Sequence, residues 1–266
     1  MKLKKKNPIT AGTRHQINIV KKNLSKTTNI IKHLAYNVHR NVGRSSLTGH
    51  ITVRARGAGV KRIYKQINTL SSKRLGIVLC TFYNSNTTSF TSLYFDIVKY
   101  KFHLMNSITG VYSGSVVACS SKFVDLKLGY RLCMKNIPVG VILSCISTFE
   151  NKKAIYAKAA GTFCQLIQRT KTNNLIRLPS SEIISITNNS YATIGSISNA
   201  LNNSCVIGKA GRNRLKGFRS KVRGIAMNPV DHPHGGRTNG GMPSVTPWSK
   251  PTKGKPTVKK KRIYKI

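Results

Sequence analysis

The chain has 266 residues, with 46 Lys and Arg against 5 Asp and Glu, and a formal net charge of +41. Self-repulsion on that scale excludes an ordinary self-sufficient globular surface and calls for a polyanionic partner, nucleic acid first. There is no apolar run of the roughly 18 residues a spanning helix needs, so no membrane span is expected, and no clear amphipathic basic helix points to a lipid surface instead.

The acids Asp96, Asp125, Glu150 and Glu182 all lie within residues 76–200, and only Asp231 lies beyond. Most of the Lys and Arg fall in the flanks, 1–75 and 201–266, so the middle reads as globular and the ends as polyanion-binding arms. Cys80, Cys119, Cys133, Cys145, Cys164 and Cys205 form no CxxC pair. Their spacing suits small hydrophobes in a reducing compartment better than zinc, which wants tighter clustering. The N-terminus is basic and lacks an apolar core, so no secretory signal is expected. Abundant Lys, Asn and Ile suggest an AT-rich genome, often that of an organelle.

In chain order, residues 1–42 read as a basic N-terminal arm. Within it, Ile17, Val20 and Leu24, then Ile30, Ile31 and Leu34, suit short strands or turns. His50–Arg54 alternates as a strand does. A basic turn containing Arg54, Arg56, Gly57, Gly59, Lys61 and Arg62 follows, then a second β segment, Ile63–Lys65. The glycines let a phosphate approach the backbone. As a dinucleotide or P-loop signature the turn fails, because the further glycines or Gly-Lys-Ser/Thr are missing.

Residues 43–125 are expected to form an oligonucleotide-binding-type β-barrel, with strands at Gly76–Tyr83, Ser92–Val98, Tyr100–Met105 and Ile108–Cys119. Phe82, Tyr83, Phe90, Tyr94, Phe95, Tyr100 and Phe102 are core or base-stacking platforms, core being the commoner use. Residues 126–200 suit a second, SH3-like barrel. Its elements are Leu126–Met134, a turn at Asn136–Gly140, Val141–Ile146, Ala157–Gln168 around a tight Ala-Ala-Gly corner, a hairpin of Asn174–Leu178 and Glu182–Ile186, and Ala192–Gly195. The fold class is thus mainly β, with long basic extensions at both ends.

Residues 201–266 are Gly-, Pro- and Arg-rich and hold the sole Trp, Trp248. Lys209, Arg212, Arg214, Lys216, Arg219, Lys221 and Arg223 recur every two or three residues, on neither a helix face nor a strand face. That spacing predicts an extended or turned chain tracking a phosphate backbone and ordered by its partner rather than by a core. The basic tail Lys255–Lys265 closes the chain.

Met227-Asn228-Pro229-Val230-Asp231-His232-Pro233-His234-Gly235-Gly236 is the sharpest motif. Here the chain resembles the universal L-two family of large-subunit ribosomal proteins, whose signature it matches from Val222 to Gly236. The family's first basic motif is met at Gly49–Arg62, and matches continue through Gly208–Arg212, Thr246–Trp248 and Pro251–Gly254. The chain departs from the family at Ala55 and Val60 (usually His), Ala58 (usually Gly), Leu215 (usually Trp), and Arg237 and Thr238 (usually Gly and Glu).

The resemblance implies the two barrels, with long arms buried in large-subunit ribosomal RNA, the C-terminal one near the peptidyl-transferase region. It also implies a structural role supporting subunit association. The implied partners are that RNA, neighbouring ribosomal proteins and the small subunit across the intersubunit face. No cofactor is implied, magnesium entering only with the RNA. Charge pattern and resemblance together nominate Arg54, Arg56, Lys61, Arg62, Tyr64, Lys65, Lys209, Arg212, Arg214, Lys216, Arg219, Lys221, Arg223, Asn228, His232, His234, Gly235, Gly236, Arg237, Trp248 and Lys253 for rRNA binding. A mitochondrial ribosome is expected, with a plastid or bacterial one as the alternative.

Three other readings compete. Adjacent Asp231 and His232 can be drawn as a general-base pair, yet no nucleophile is marked and no core excludes water. Asp231, His232 and His234 can chelate a metal but lack a dependable third ligand. A free-standing single-strand binder is compatible with the first barrel.

Overall fold

The computed structural model describes residues 2–22, 24–26, 29–37, 43–57, 59–69, 74–122, 124–150, 152–236 and 242–254. Arg237 and the basic tail at 255–265 lie outside the described residues. The chain forms two units, one of residues 1–39 and 61–209, the other of residues 40–60 and 210–266.

The first unit is mainly β, as expected. In the N-terminal arm β1 (Leu3–Lys5) pairs antiparallel with β2 (Ile17–Ile19), which takes in Ile17 of the expected strand-or-turn segments. A single helical turn, α1 (Asn29–His33), follows. It leads into β3 (Ala35–Asn37), which pairs with β4 (Ile63–Lys65). The arm is anchored by apolar burial, since Ile31 is fully buried with Phe82, Leu93 and Leu104.

The main sheet begins with β5 (Arg74–Phe82), β6 (Thr91–Asp96), β7 (Lys101–Asn106) and β8 (Val116–Ser120), in the order β8-β5-β6-β7. It continues with β9 (Arg131–Cys133), β10 (Ile142–Ser144), β11 (Cys164–Arg169), β12 (Asn173–Arg177), β13 (Ile183–Thr187) and β14 (Tyr191–Ile194), in the order β13-β12-β11-β10-β14-β9. β8 and β9 run parallel and join the two sections, with Cys119 opposite Arg131. All other pairings in the sheet are antiparallel.

Three expected strands are corrected. His50–Arg54 is a loop, because the N–H groups of Thr52 and Val53 both donate to the Gly43 carbonyl, at 2.8 and 3.0 Å, and leave none for a ladder. Ile108–Cys119 shrinks to β8, because Gly110 and Gly114 take positive φ and turn the chain first. Ala157–Gln168 shrinks to β11 after left-handed residues at Ala157 and Gly161.

Two further apolar clusters pack against the sheet. Val78, Tyr94, Ile108, Val117 and Ile197 pack in the first section. Leu132, Met134, Ile137, Leu143, Ile146, Leu166 and Ile176 pack in the second. Each fully buried aliphatic side chain contributes roughly 1.5–3 kcal/mol relative to exposure. Phe82, Phe90 and Tyr94 are core, whereas Tyr83 and Tyr100 are 46% and 79% exposed.

Two buried charged groups of this unit find backbone partners. Arg131 is buried and donates from Nη1 to the Cys145 carbonyl at 2.6 Å and to Thr193 Oγ1 at 3.3 Å. Asp96, fully buried, accepts from the Val98 and Lys99 N–H groups and lies 3.8 Å from Arg74 Nε.

Candidate nucleic-acid interface

The sequence-nominated residues divide between the units. Lys61, Arg62, Tyr64, Lys65 and Lys209 belong to the first. There Arg62 donates to the Ser85 carbonyl at 3.0 Å. Lys65 lies over the Phe82 ring at 4.7 Å, and partial burial lowers its pKa. Lys209 lays its aliphatic stem against Gly12. Tyr64 sits opposite Tyr36 in the β3–β4 ladder, ring centroids 5.2 Å apart, and both are largely exposed. Lys21 caps the exposed ring of Tyr83 at 3.4 Å. Tyr36 and Lys21 escaped sequence reasoning, because strand pairing brings them to Tyr64 and Tyr83 from outside any motif.

The second unit assembles Arg54 and Arg56 with the C-terminal segment. Backbone bonds join the two stretches directly: Gly57 N–H to the Gly217 carbonyl, Val60 N–H to that of Leu215 and Arg219 N–H to that of Ala55, each at 3.0 Å. A side chain at Gly59 would meet the Gly217 backbone at 2.9 Å, so only glycine permits this approach. The guanidinium of Arg56 stacks over Phe218, 4.0 Å from the ring centroid, and that of Arg54 lies 5.7 Å from the Trp248 ring.

The extended or turned chain expected through Arg223 gives way at one point to a helix. Ala210–Leu215 forms a short helix, α2, carrying Arg212 and Arg214 in its last turn. It ends as glycine-terminated helices do: Gly217, at φ +91°, donates to Arg214 and Phe218 N–H donates to Asn213. The sequence signal was the Gly after Leu215-Lys216, a helix stop. Lys216, Arg219, Lys221, Arg223 and Lys253 are exposed.

The signature segment closes on itself. Asp231 and His232 N–H groups donate to the Asn228 carbonyl, Gly235 to His232, and Gly236 to Met227. A side chain at Gly235 would run into the Asn228 carbonyl. The His232 ring is 8% exposed, and its Nδ1 accepts the His234 N–H at 3.0 Å, so the neutral Nε2–H tautomer is present. Gly224 is required beside it, since a Cβ there would lie 2.7 Å from the imidazole. Desolvation, then the neighbouring His234 and Arg54 charges, lower the pKa of His232. His234 Nε2 lies 2.7 Å from the Pro243 carbonyl and 3.4 Å from the Val245 N–H, which ties the turn to the segment after it.

Both imidazoles therefore hold the turn. Among the described residues no group of three or more His, Cys, Asp or Glu is placed to hold a metal, and no helix is long and apolar enough to cross a membrane. The ion pairs Arg74–Asp96 and Lys127–Asp125 both lie within the first unit.

The family model for the C-terminal domain of Ribosomal Proteins L2 matches residues 127–253. A protein of Reclinomonas americana, "Large ribosomal subunit protein uL2m", is 39% identical over all of this chain and 97% of its own length. "Large ribosomal subunit protein uL2" of Dinoroseobacter shibae is 39% identical over 98% of this chain and 94% of its own. The uL2 protein of Rhodospirillum centenum is 38% identical over 100% and 98%.

Proposed function

Because this chain belongs to the L2 family of ribosomal proteins, and so is a structural constituent of the large ribosomal subunit rather than an enzyme, we propose that it binds large-subunit rRNA chiefly through its second unit. The observation that carries this reading is the convergence of residues 43–60 and 210–254, distant in sequence, on one unit whose described arginines are exposed, save the half-buried Arg212, and whose one described acid is Asp231. Such a surface repels itself without phosphate and tracks a phosphate backbone well.

In this reading Arg54, Arg56, Arg212, Arg214, Lys216, Arg219, Lys221, Arg223 and Lys253 contact phosphate and sugar. Asn228, Gly235 and Gly236 offer backbone at close approach, and His232 and His234 shape the turn. Tyr64 with Tyr36 supplies a stacking platform for an unpaired base. Strands β5–β8 serve as the oligonucleotide-binding-type barrel and β9–β14 as the SH3-like one. The assembled protein supports subunit association and the peptidyl-transferase region, beside neighbouring ribosomal proteins. The mitochondrial ribosome is its proposed home, supported by the uL2m relative and the AT-type composition. The genetic code and genome of the gene test that, a plastid or bacterial origin overturning it.

The decisive experiment removes residues 201–266 and follows incorporation into large subunits. Incorporation should be lost; undiminished incorporation overturns the proposal. For the full chain, neutralising 6–10 phosphates corresponds to a loss of roughly 10³–10⁵ in RNA affinity between 50 and 200 mM salt.

A further inference from the structure

A concavity of about 460 Å³ in the second unit is lined by Arg44, Arg54, Arg56 and Arg219, with Ile51 and Val53 among the rest. Four arginines line this wall, and no ion pair reaches them among the described residues. Three are held in place before any ligand arrives. Arg44 donates from Nη1 to the Gly49 carbonyl at 3.1 Å, Arg56 stacks on Phe218, and Arg54 lies by Trp248. The fourth, Arg219, comes from the C-terminal segment, its N–H bonded to Ala55. The loop beneath is fixed by Gly43, at φ +70°, where any side chain would meet the Val53 carbonyl.

Planar guanidiniums bind phosphate oxygens as two-pronged donors, and fixing them beforehand reduces the entropy lost on binding. The volume lies in the range of small-ligand sites, roughly 300–1,000 Å³, which admits a phosphate together with its sugar.

We infer that this four-arginine pocket seats a phosphodiester of a bent RNA strand, and that the seated phosphate staples residues 43–57 to the C-terminal segment. The inference rests on the rRNA-binding reading and adds one site to it. Bound RNA then acts as counter-ion to both stretches at once, so RNA binding and closure of this unit are coupled.

The test uses the full chain and large-subunit rRNA transcribed from the same genome. Arg219→Gln is the cleanest variant, because its side chain makes no hydrogen bond to the described protein. It should lower the slope of log affinity against log salt by about 0.7–0.9, and Arg44→Gln with Arg219→Gln by about 1.4–1.8. The paired Lys variants should keep the slope while losing affinity, because charge remains and the planar fork does not. Hydrogen exchange adds a second readout: RNA should slow exchange at the Gly57 and Arg219 amides in the wild type, and less in the Arg219→Gln variant.

Wild-type binding with an unchanged slope in both Gln variants overturns this pocket and leaves the ribosomal reading standing. Absence of RNA binding by the wild type overturns both. Inorganic pyrophosphate bound by the wild type and lost in the Gln variants, with the RNA slope unchanged, reassigns the pocket to free phosphate and also overturns the proposal.

Discussion

The two units are held together by different physics. Every buried apolar side chain among the described residues belongs to the first unit, where Leu132, Ile137, Leu143, Ile146, Leu166 and Ile176 are almost wholly withdrawn from water. In the second unit His232 is the buried side chain, and order comes from backbone hydrogen bonds, glycine close approaches and arginine stacked on rings. The first unit therefore carries its stability in apolar area, which is insensitive to charge. The second carries it in geometry and electrostatics, which depend on pH, salt and a bound polyanion.

Four changes sharpen or break that contrast. Leu143→Ala should destabilise the first unit by about 2–5 kcal/mol, read by urea unfolding; a value below about 1 kcal/mol would remove the apolar core as its main support. Gly235→Ala sets a methyl against the Asn228 carbonyl, a backbone neighbour that cannot swing aside. About 1–3 kcal/mol of overpacking strain is expected, loosening the 227–236 turn in hydrogen exchange while Leu143 stays protected. Loss of protection at both sites would show the units to unfold together.

Phe218→Ala deletes the ring under Arg56, a contact of roughly 0.5–1 kcal/mol at an exposed site. It should weaken RNA binding modestly, seen as a few-fold rise in Kd. An effect as large as that of Arg219→Gln on the salt slope would mean the ring does more than hold Arg56.

Acidification is the gentlest probe. The folded turn favours neutral His232, whose pKa lies below the ordinary 6.5. The unfolded segment thus takes up its proton first as pH falls. The turn's stability is fully present above about pH 6.5 and declines as pH drops from there toward the lowered folded value. Exchange at the His234 amide should quicken over that window beyond its intrinsic rate change, and the first unit should not respond. A His232→Gln variant should lose the pH dependence.

The residues themselves carried much of this in plain view. The β runs of 74–106 and 173–194 are apolar, β-branched and broken by turn residues, so they fold nearly where their pattern says. The signature from Val222 to Gly236 and the flanking charge pointed to RNA. Sequence pattern failed where glycine and left-handed residues redirect the chain, as at Gly43, Gly110 and Gly161, because alternation alone cannot tell a strand from a loop whose N–H groups share one carbonyl. Likewise the Arg and Lys spacing of 209–223 concealed α2, whose end is set by Gly217 rather than by any apolar face.

What the sequence alone determined is the class of partner and the mainly β body, because net charge and apolar periodicity are properties of the residues in order. What only the tertiary structure decided is which cations act together. Arg44, Arg54 and Arg56 join Arg219 across more than half the chain, through Gly57, Gly59 and Gly217 backbones that approach closely. Spacing along a chain says nothing of such a meeting, since it depends on which hydrogen-bonding groups find each other in space.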